Sequence, residues 1–252
     1  MKSKTNLLAW ALAFVLICLP LATFTSCGDD ADDDNQSMNL TLNAGETHDI
    51  GNGSDWKSAN PLVASVSGST IKANCVGNTT ISSGSSNIKV TVKATHFDFN
   101  DPCLQWGASK SSVKSYMSKY NLVDETSTSL AYDGSGKTYS YIYSFENGKL
   151  NFSSILVKSY YSSDITTYLK ERYYPVLVSE DDVIYMLDAK QETVALVSVY
   201  TSGYSVYVMV VYAPYTGEKV YKAPKMNKFI KRNSSEEKAA FNSLKEVLAP
   251  NM

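Results

Sequence analysis

Residue types that catalyse reactions or bind metals are few in this chain of 252 residues, which contains two histidines. His48 lies in a predicted strand and His96 between two predicted domains, and neither has the spacing of a metal ligand. The chain lacks the Gly-x-Ser-x-Gly, P-loop and dinucleotide-binding motifs. We therefore predict no catalytic residue, no metal site and no enzymatic activity. An enzyme with an unrecognised site in the second domain is the less favoured alternative.

Two other groups of side chains could carry chemistry. Glu180, Asp181 and Asp182 are consecutive carboxylates in a predicted turn, where calcium could bind. Three neighbouring side chains point to different sides, however, so a solvated loop is the preferred interpretation. Cys75 and Cys103 either form a disulfide bridge, as exported cysteines do in an oxidising compartment, or remain two free, buried thiols. The sequence leaves both alternatives open.

A further cysteine, Cys27, follows an export segment. Two lysines precede the apolar run 7–22, which is short for a bilayer span of about 20 apolar residues. The small residues Thr25 and Ser26 then precede Cys27. This layout resembles the lipobox of bacterial lipoproteins, although Phe24 stands where leucine is usual.

The resemblance implies that residues 1–26 are removed as a signal peptide and that Cys27 becomes the first residue. Its sulfur would carry a diacylglyceryl group and its amine an N-acyl chain, which together hold a protein firmly at a membrane. A plain signal peptide with an incidental cysteine is the alternative.

Five aspartates in six positions follow Cys27, so residues 27–37 are expected to form an extended, solvated tether. An acidic run directly after the lipidated cysteine also resembles the surface-export signal of Bacteroidetes lipoproteins. The location that this resemblance implies is the outer membrane, on the cell surface. A lipid anchor that faces the periplasm is the alternative.

Charge and composition exclude some partners. Without residues 1–26 the chain has 21 basic and 25 acidic side chains, and five of the acids belong to the tether. The remainder has a formal charge of +1, which is not the basic footprint of a nucleic-acid binder. Tyrosine is frequent, with 18 residues against 8 phenylalanines, and together with alternating valine, threonine and serine it indicates β-strands.

Residues 38–94 contain short alternating runs between turn residues, which favours a small β-sandwich. The stretch 56–83, WKSANPLVASVSGSTIKANCVGNTTISS, is similar to the central signature of the bacterial Ig-like domain, group 2. The matching positions are Trp56, Ser58, Asn60, Pro61, Val63, Ala64, Val66, Ile71, Ala73, Gly77, Thr79 and Ile81. The chain departs from the pattern before Trp56, where it is short, and at Cys75. The resemblance implies a spacer module without chemistry of its own, in which Trp56 packs in the core.

Residues 95–105 are predicted to link this module to an α+β domain, residues 106–252. Its pattern is a helix followed by a three-stranded antiparallel meander, twice, which indicates a duplicated sheet covered by helices on one face. The stretch 106–117, WGASKSSVKSYM, resembles the helix start of outer-membrane-assembly lipoproteins. The tandem order resembles the β-lactamase-inhibitor-protein fold. Both resemblances imply protein binding without catalysis.

Strand tyrosines are the candidate binding residues. Tyr139, Tyr141 and Tyr143 alternate, so they are predicted to share one face of a strand, and Tyr204 and Tyr212 to share a face of another. One interpretation packs these rings under the helices. The other leaves them as an open aromatic surface that binds a partner, because tyrosine is enriched at interfaces.

A capping box opens a last predicted helix, residues 235–248, which either docks on the sheet or contacts a partner or a membrane. We expect a membrane-anchored, surface-exposed lipoprotein in which the Ig-like module is a spacer and the α+β domain binds a protein or a glycan. The alternative is an inward-facing periplasmic protein that acts in envelope assembly or as an inhibitor.

Overall fold

The computed structural model describes residues 37–51, 55–217 and 235–252. The predicted signal peptide, Cys27 and the aspartates of the tether lie outside the described residues, so lipidation stays a prediction. No helix in the described ranges has both the length and the apolar character that a membrane crossing requires.

Seven short strands are described before residue 95. They are β1 (Ser37–Asn43), β2 (Thr47–Asp49), β3 (Lys57–Ser58), β4 (Ala64–Ser67), β5 (Thr70–Ala73), β6 (Gly77–Ser83) and β7 (Ser86–Lys93). One sheet has the order β1-β7-β6-β3, with β1 parallel to β7, and a second has the order β2-β5-β4. In β7 every second side chain from Ile88 to Val92 is buried, because one face of the strand points into a core.

Side chains from both of these sheets meet in one hydrophobic core. Ile71 of β5 and Ile81 of β6 are fully buried there, and Trp56 packs against the same core, as the sequence predicts. The turn at Asn60 also forms as expected. Its side-chain oxygen Oδ1 accepts a hydrogen bond from the backbone nitrogen of Leu62 at 3.0 Å.

Three α-helices and eight strands are described after residue 105. The helices are α1 (Lys110–Tyr116), α2 (Ser162–Arg172) and α3 (Ser235–Leu248), and the strands are β8 (Leu122–Glu125), β9 (Ser129–Asp133), β10 (Thr138–Glu146), β11 (Lys149–Lys158), β12 (Tyr173–Val178), β13 (Ile184–Asp188), β14 (Thr193–Ser202) and β15 (Ser205–Pro214). Ser109 caps α1, since its hydroxyl accepts a hydrogen bond from Ser112 N at 3.2 Å. The helix α3 covers the residues predicted for the last helix.

The eight strands form one antiparallel sheet in the order β12-β13-β14-β15-β11-β10-β9-β8. Each half is a four-stranded meander that follows one helix, and the last strands of the two halves, β11 and β15, pair at the centre. The sequence pattern misses the first strand of each half. All four residues of β8 are exposed, and β12 is apolar or aromatic at every position and contains Pro175, so neither sequence alternates polar and apolar residues as a half-buried strand does.

One face of the large sheet packs against the helices in a single core. Tyr141, Ile155, Val210, Val197 and Ile184 are neighbours across five strands of this face, and each is at most 1% exposed. The helices contribute Val113, Met117, Ile165, Tyr168, Leu169, Phe241, Leu244 and Leu248 to the same core. The docking of the last helix on the sheet is therefore confirmed.

The prediction of an open aromatic face is wrong for three of its five tyrosines. Tyr141, Tyr143 and Tyr212 lie in the core beneath the helices and are at most 1% exposed. The Tyr143 hydroxyl contacts the Met117 sulfur at 3.0 Å, and the Tyr141 and Tyr120 ring centroids are 5.1 Å apart. These large rings supply much of the apolar area of the inner face, and their burial stabilises the fold more than exposure would.

Cys75 and Cys103, the two candidates for a disulfide bridge, are free and buried. Cys75 lies in the core of the first two sheets and Cys103 in the core under the helices. Burial raises the pKa of Cys75 to about 12, and the nearby Asp188 carboxylate adds to the increase. Burial also raises the pKa of Cys103. The structure thus selects the second of the two alternatives, free thiols.

We expect Cys75 and Cys103 to resist alkylation in the native protein at pH 8 and to react completely after unfolding. The physical reason is that a thiol reacts as its thiolate, which burial disfavours at both positions. Mass spectrometry of peptides after iodoacetamide treatment measures the modified fraction. A peptide in which the two cysteines are linked would contradict the assignment.

Candidate binding surface

Tyr139 lies on the face of the large sheet that is turned away from the helices. In the pairing of β10 with β11, Thr138 is opposite Val157 and Ser140 is opposite Leu156, so Tyr139 is an extra residue. Such a β-bulge changes the face on which the following side chains lie. Tyr139 is 51% exposed, whereas the next tyrosine of the strand is buried.

Gly134 makes this bulge possible. Its backbone nitrogen donates a hydrogen bond to the Tyr139 carbonyl oxygen at 2.9 Å. A Cβ atom at position 134 would overlap the backbone of Thr138 and Tyr139, so only glycine fits here. The local turn chemistry therefore sets the direction of the Tyr139 ring.

Four tyrosines and one lysine form a continuous line at this end of the sheet, which we name the tyrosine strip. In the order of their side-chain contacts, its members are Tyr200, Tyr207, Tyr139, Lys158 and Tyr160. The ring centroids of Tyr200 and Tyr207 are 6.3 Å apart, and those of Tyr207 and Tyr139 are 4.9 Å apart. Lys158 Nζ lies 5.5 Å from the ring centroid of Tyr139 and 5.9 Å from that of Tyr160.

Strand register assembles the tyrosine strip. Tyr207 of β15 pairs directly with Tyr200 of β14 on one side and with Lys158 of β11 on the other. Tyr160 follows in a 3-10 turn, Ser159–Tyr161, that connects β11 to α2. Residues from five elements, β14, β15, β10, β11 and the 3-10 turn, thus come together only when the central pairing of the two meanders forms.

The rings of the tyrosine strip differ in exposure. Tyr160 is 68% exposed and Tyr139 is 51% exposed. Tyr207 is only 7% exposed, and its ring contacts the rings of Tyr200 and Tyr139. Tyr204 lies just beyond the strip, in the turn between β14 and β15, and is fully exposed. Of the predicted binding residues, Tyr139 and Tyr204 are therefore at the surface, but on different elements.

Tyr160, Tyr200 and Tyr207 were not among the binding residues predicted from the sequence. A signal for two of them was present, because Tyr200 and Tyr207 are placed symmetrically about the turn at Gly203 and a hairpin centred there pairs them. Tyr160 carries no such signal, since it belongs to a short connecting turn and its neighbours come from distant strands.

Lys158 gives the tyrosine strip a positive charge. Among the described residues, no carboxylate oxygen lies within 4.0 Å of its ammonium nitrogen, which contacts two ring faces instead. A side-chain hydrogen bond with the Tyr207 hydroxyl raises the pKa of Tyr139, so the two hydroxyl groups lie together at the surface end of the strip. The surface therefore offers aromatic faces, hydroxyl donors and one cation.

The carboxylates 180–182 and the two histidines, which the sequence offered as further candidates for chemistry, do not form a site among the described residues. Glu180 and Asp181 are exposed in the turn between β12 and β13, as predicted for a solvated loop. No group of three potential metal ligands occurs in the part of the chain that the structure describes. His48 lies on β2, and His96 contacts a buried carboxylate, Glu171, with 2.7 Å between its Nδ1 and Oε1 of the glutamate.

Glu171 joins the first sheets to the large sheet. Its carboxylate accepts hydrogen bonds from the backbone nitrogens of Thr95 and His96 at 3.0–3.1 Å and from the Thr95 hydroxyl at 2.5 Å. Its carbonyl oxygen accepts a bond from Val76 N at 2.7 Å. A second link runs from the Asn60 side chain to the Ala189 carbonyl oxygen at 2.7 Å. The segment predicted as a linker is thus fixed at its start.

A cleft of about 400 Å³ beside this junction contains three carboxylates. One oxygen of Asp188 already accepts hydrogen bonds from the backbone nitrogens of Glu192 and Thr193 at 2.8 Å, and Asp101 accepts one from the Tyr168 hydroxyl. These bonds hold loops in place, so we regard the tyrosine strip as the better candidate site. The chain matches no protein-family model, no curated protein and no solved structure, and the function must be argued from its own residues.

Proposed function

We propose that this protein is a membrane-anchored, surface-exposed lipoprotein without enzymatic activity, and that its large sheet binds a protein or glycan partner through the tyrosine strip. The observation that carries the proposal is the line of contacting rings on a face free of the helices. Exposed tyrosines combine apolar area with hydroxyl groups, and they cost little conformational entropy when a partner orders them.

Features of the two halves support the remaining parts of the proposal. In the first half, the two sheets with a shared core are compatible with the proposed Ig-like spacer. In the second half, a helix followed by an antiparallel meander occurs twice, as the resemblance to a protein-binding fold implies. The membrane anchor rests on the lipobox at Cys27 and on the aspartates that follow it.

Substitution of the exposed strip residues should abolish partner capture and leave the fold intact. We expect Tyr160→Ala combined with Tyr139→Ala to reduce the recovered partner at least tenfold, since two tyrosine hot spots of roughly 1–2 kcal/mol each correspond to an affinity loss of roughly 30- to 900-fold. Whole tagged protein, cross-linked on intact cells, is purified, and its partners are quantified by mass spectrometry and by monosaccharide analysis.

The control is Tyr174→Ala, which removes another exposed tyrosine (41%) from the far edge of the same sheet. Its recovered material should equal that of the unchanged protein, and all three proteins should melt within a few degrees of each other. Equal partner recovery by the strip variant and the control would refute the proposed function.

Lipidation and export make a separate prediction. Cys27→Ala should yield a protein without acyl chains, because the cysteine sulfur is the proposed acceptor. Replacing the five aspartates after Cys27 by serine should leave the protein lipidated but protect it from protease added to intact cells. Mass spectrometry of the N-terminal peptide and protease accessibility report the two effects. If the serine variant remains accessible to protease on intact cells, the aspartates are not an export signal and serve only as a spacer.

A further inference from the structure

The exposed part of the tyrosine strip is a narrow line. In the next row of the same face, Leu156 of β11 is 7% exposed and Ser198 of β14 is fully buried. The accessible aromatic surface at the end of the sheet is therefore formed mainly by Tyr139 and Tyr160, with Tyr200 partly exposed beyond the buried Tyr207, and it does not broaden into the next row. A globular partner needs roughly 800 Å² on each side of a stable interface, whereas an extended chain needs one row of contacts.

The spacing and chemistry of this row suit sugar rings. The ring faces of Tyr139 and Tyr160 carry the negative side of the aromatic quadrupole, and the C–H groups on the face of a pyranose are weakly positive. Tyrosine hydroxyl groups can also exchange hydrogen bonds with sugar oxygens. Lys158 lies between the two rings and would meet whatever group a chain carries between two stacked sugars.

The charge of Lys158 selects an acidic chain. Its ammonium group has no carboxylate within 4.0 Å among the described residues, whereas the nearby Lys137 is paired with Asp98 and Asp164 at 3.0 Å each. Asp133, at the end of the neighbouring strand, raises the pKa of Tyr139 slightly and pairs with Ser140 rather than with Lys158. A strip that contains one lysine fits a polymer with occasional negative charges, whereas a nucleic acid, with a phosphate at every unit, is bound by several cations.

We propose that the tyrosine strip binds an extended glycan that carries carboxylate groups, with sugars stacked on Tyr139 and Tyr160 and a carboxylate paired with Lys158. This inference rests on the proposed function and names the ligand class of the same surface. The bound chain would lie along the row from Tyr160 toward Tyr200, so that several weak contacts add along one polymer.

A pair of polysaccharides that differ only in charge tests the inference. The whole detergent-solubilised protein is titrated with polygalacturonate and with its methyl-esterified form, in which the same sugars are uncharged. We expect polygalacturonate to bind at least fivefold more tightly at low ionic strength, and this preference to shrink as salt is added. Tyr160→Ala should weaken both interactions by roughly 5- to 30-fold, as loss of a hot-spot tyrosine does, and Tyr160→Phe should retain the stacking.

Lys158→Met separates charge recognition from stacking, because methionine keeps much of the side-chain length without the ammonium group. The variant should bind both polysaccharides with equal affinity and without salt dependence. A preference for polygalacturonate that persists in Lys158→Met, equal binding of both polymers by the unchanged protein, or tighter binding of a single-stranded oligonucleotide would overturn the inference.

The outcome also distinguishes the two proposals. If neither polymer binds but capture on intact cells still depends on Tyr160 and Tyr139, the acidic-glycan inference fails and the binding function stands. If neither polymer binds and capture does not depend on these residues, both fail.

Discussion

Replacing Tyr141 by alanine is expected to lower the free energy of unfolding by about 3 to 5 kcal/mol, as large-to-small changes of buried aromatic residues do. Tyr141 is 1% exposed and packs against Tyr120 under the helices. For a domain of this size the loss corresponds to a decrease in melting temperature of roughly 6 to 20 °C. Thermal and urea unfolding, followed by far-UV circular dichroism, measure both quantities.

Two variants control for the loss of the ring. Tyr141→Phe keeps the buried ring and removes a hydroxyl whose distance to the Asn100 carbonyl oxygen is 3.5 Å, so it should cost less than about 1 kcal/mol. Tyr139→Ala removes a ring of the same type that is half exposed, and it should also cost little. Equal destabilisation by the alanine substitutions at positions 139 and 141 would contradict the assignment of their faces.

Removing the Glu171 carboxylate should have a comparable effect, because it is buried and holds two parts of the fold together. Glu171→Ala leaves the hydrogen-bond donors of Thr95 and His96 and the adjacent Arg172 without their acceptor. Breaking a buried charged pair costs about 3 to 5 kcal/mol. Urea unfolding at pH 7 measures the loss, and limited proteolysis should show new cleavage within residues 95–105.

The same carboxylate makes stability depend on pH. Burial raises the pKa of Glu171, but the hydrogen bonds from Thr95 and His96 together outweigh burial and lower it below the usual value of 4.5. A lowered folded-state pKa means that this stabilisation is complete above about pH 4.5 and is lost as the pH falls through the folded-state value. Glu171→Gln should remove that part of the acid dependence, and an unchanged pH profile would contradict the role of the carboxylate.

Local residue patterns alone determined several features. The cap at Ser109, the helix 235–248 and the turn at Asn60 depend on neighbouring residues, and the helix forms where the sequence predicts it. The tandem order of helices and strands followed from the same patterns, because hydrophobic periodicity is a local property. The outer strands β8 and β12 did not, since edge strands need no buried face and so carry no clear period.

Only the tertiary structure decided which tyrosines reach solvent. Alternation along a strand places Tyr141 and Tyr143 on one face, but it does not say which face the helices cover. A one-residue bulge places the Tyr139 side chain on the face opposite to that of Tyr141. The central pairing of β11 with β15 brings Lys158 beside Tyr207. Both depend on contacts between segments far apart in the chain. The composition thus supplied the aromatic residues of the candidate site, and the register of the sheet selected which of them form it.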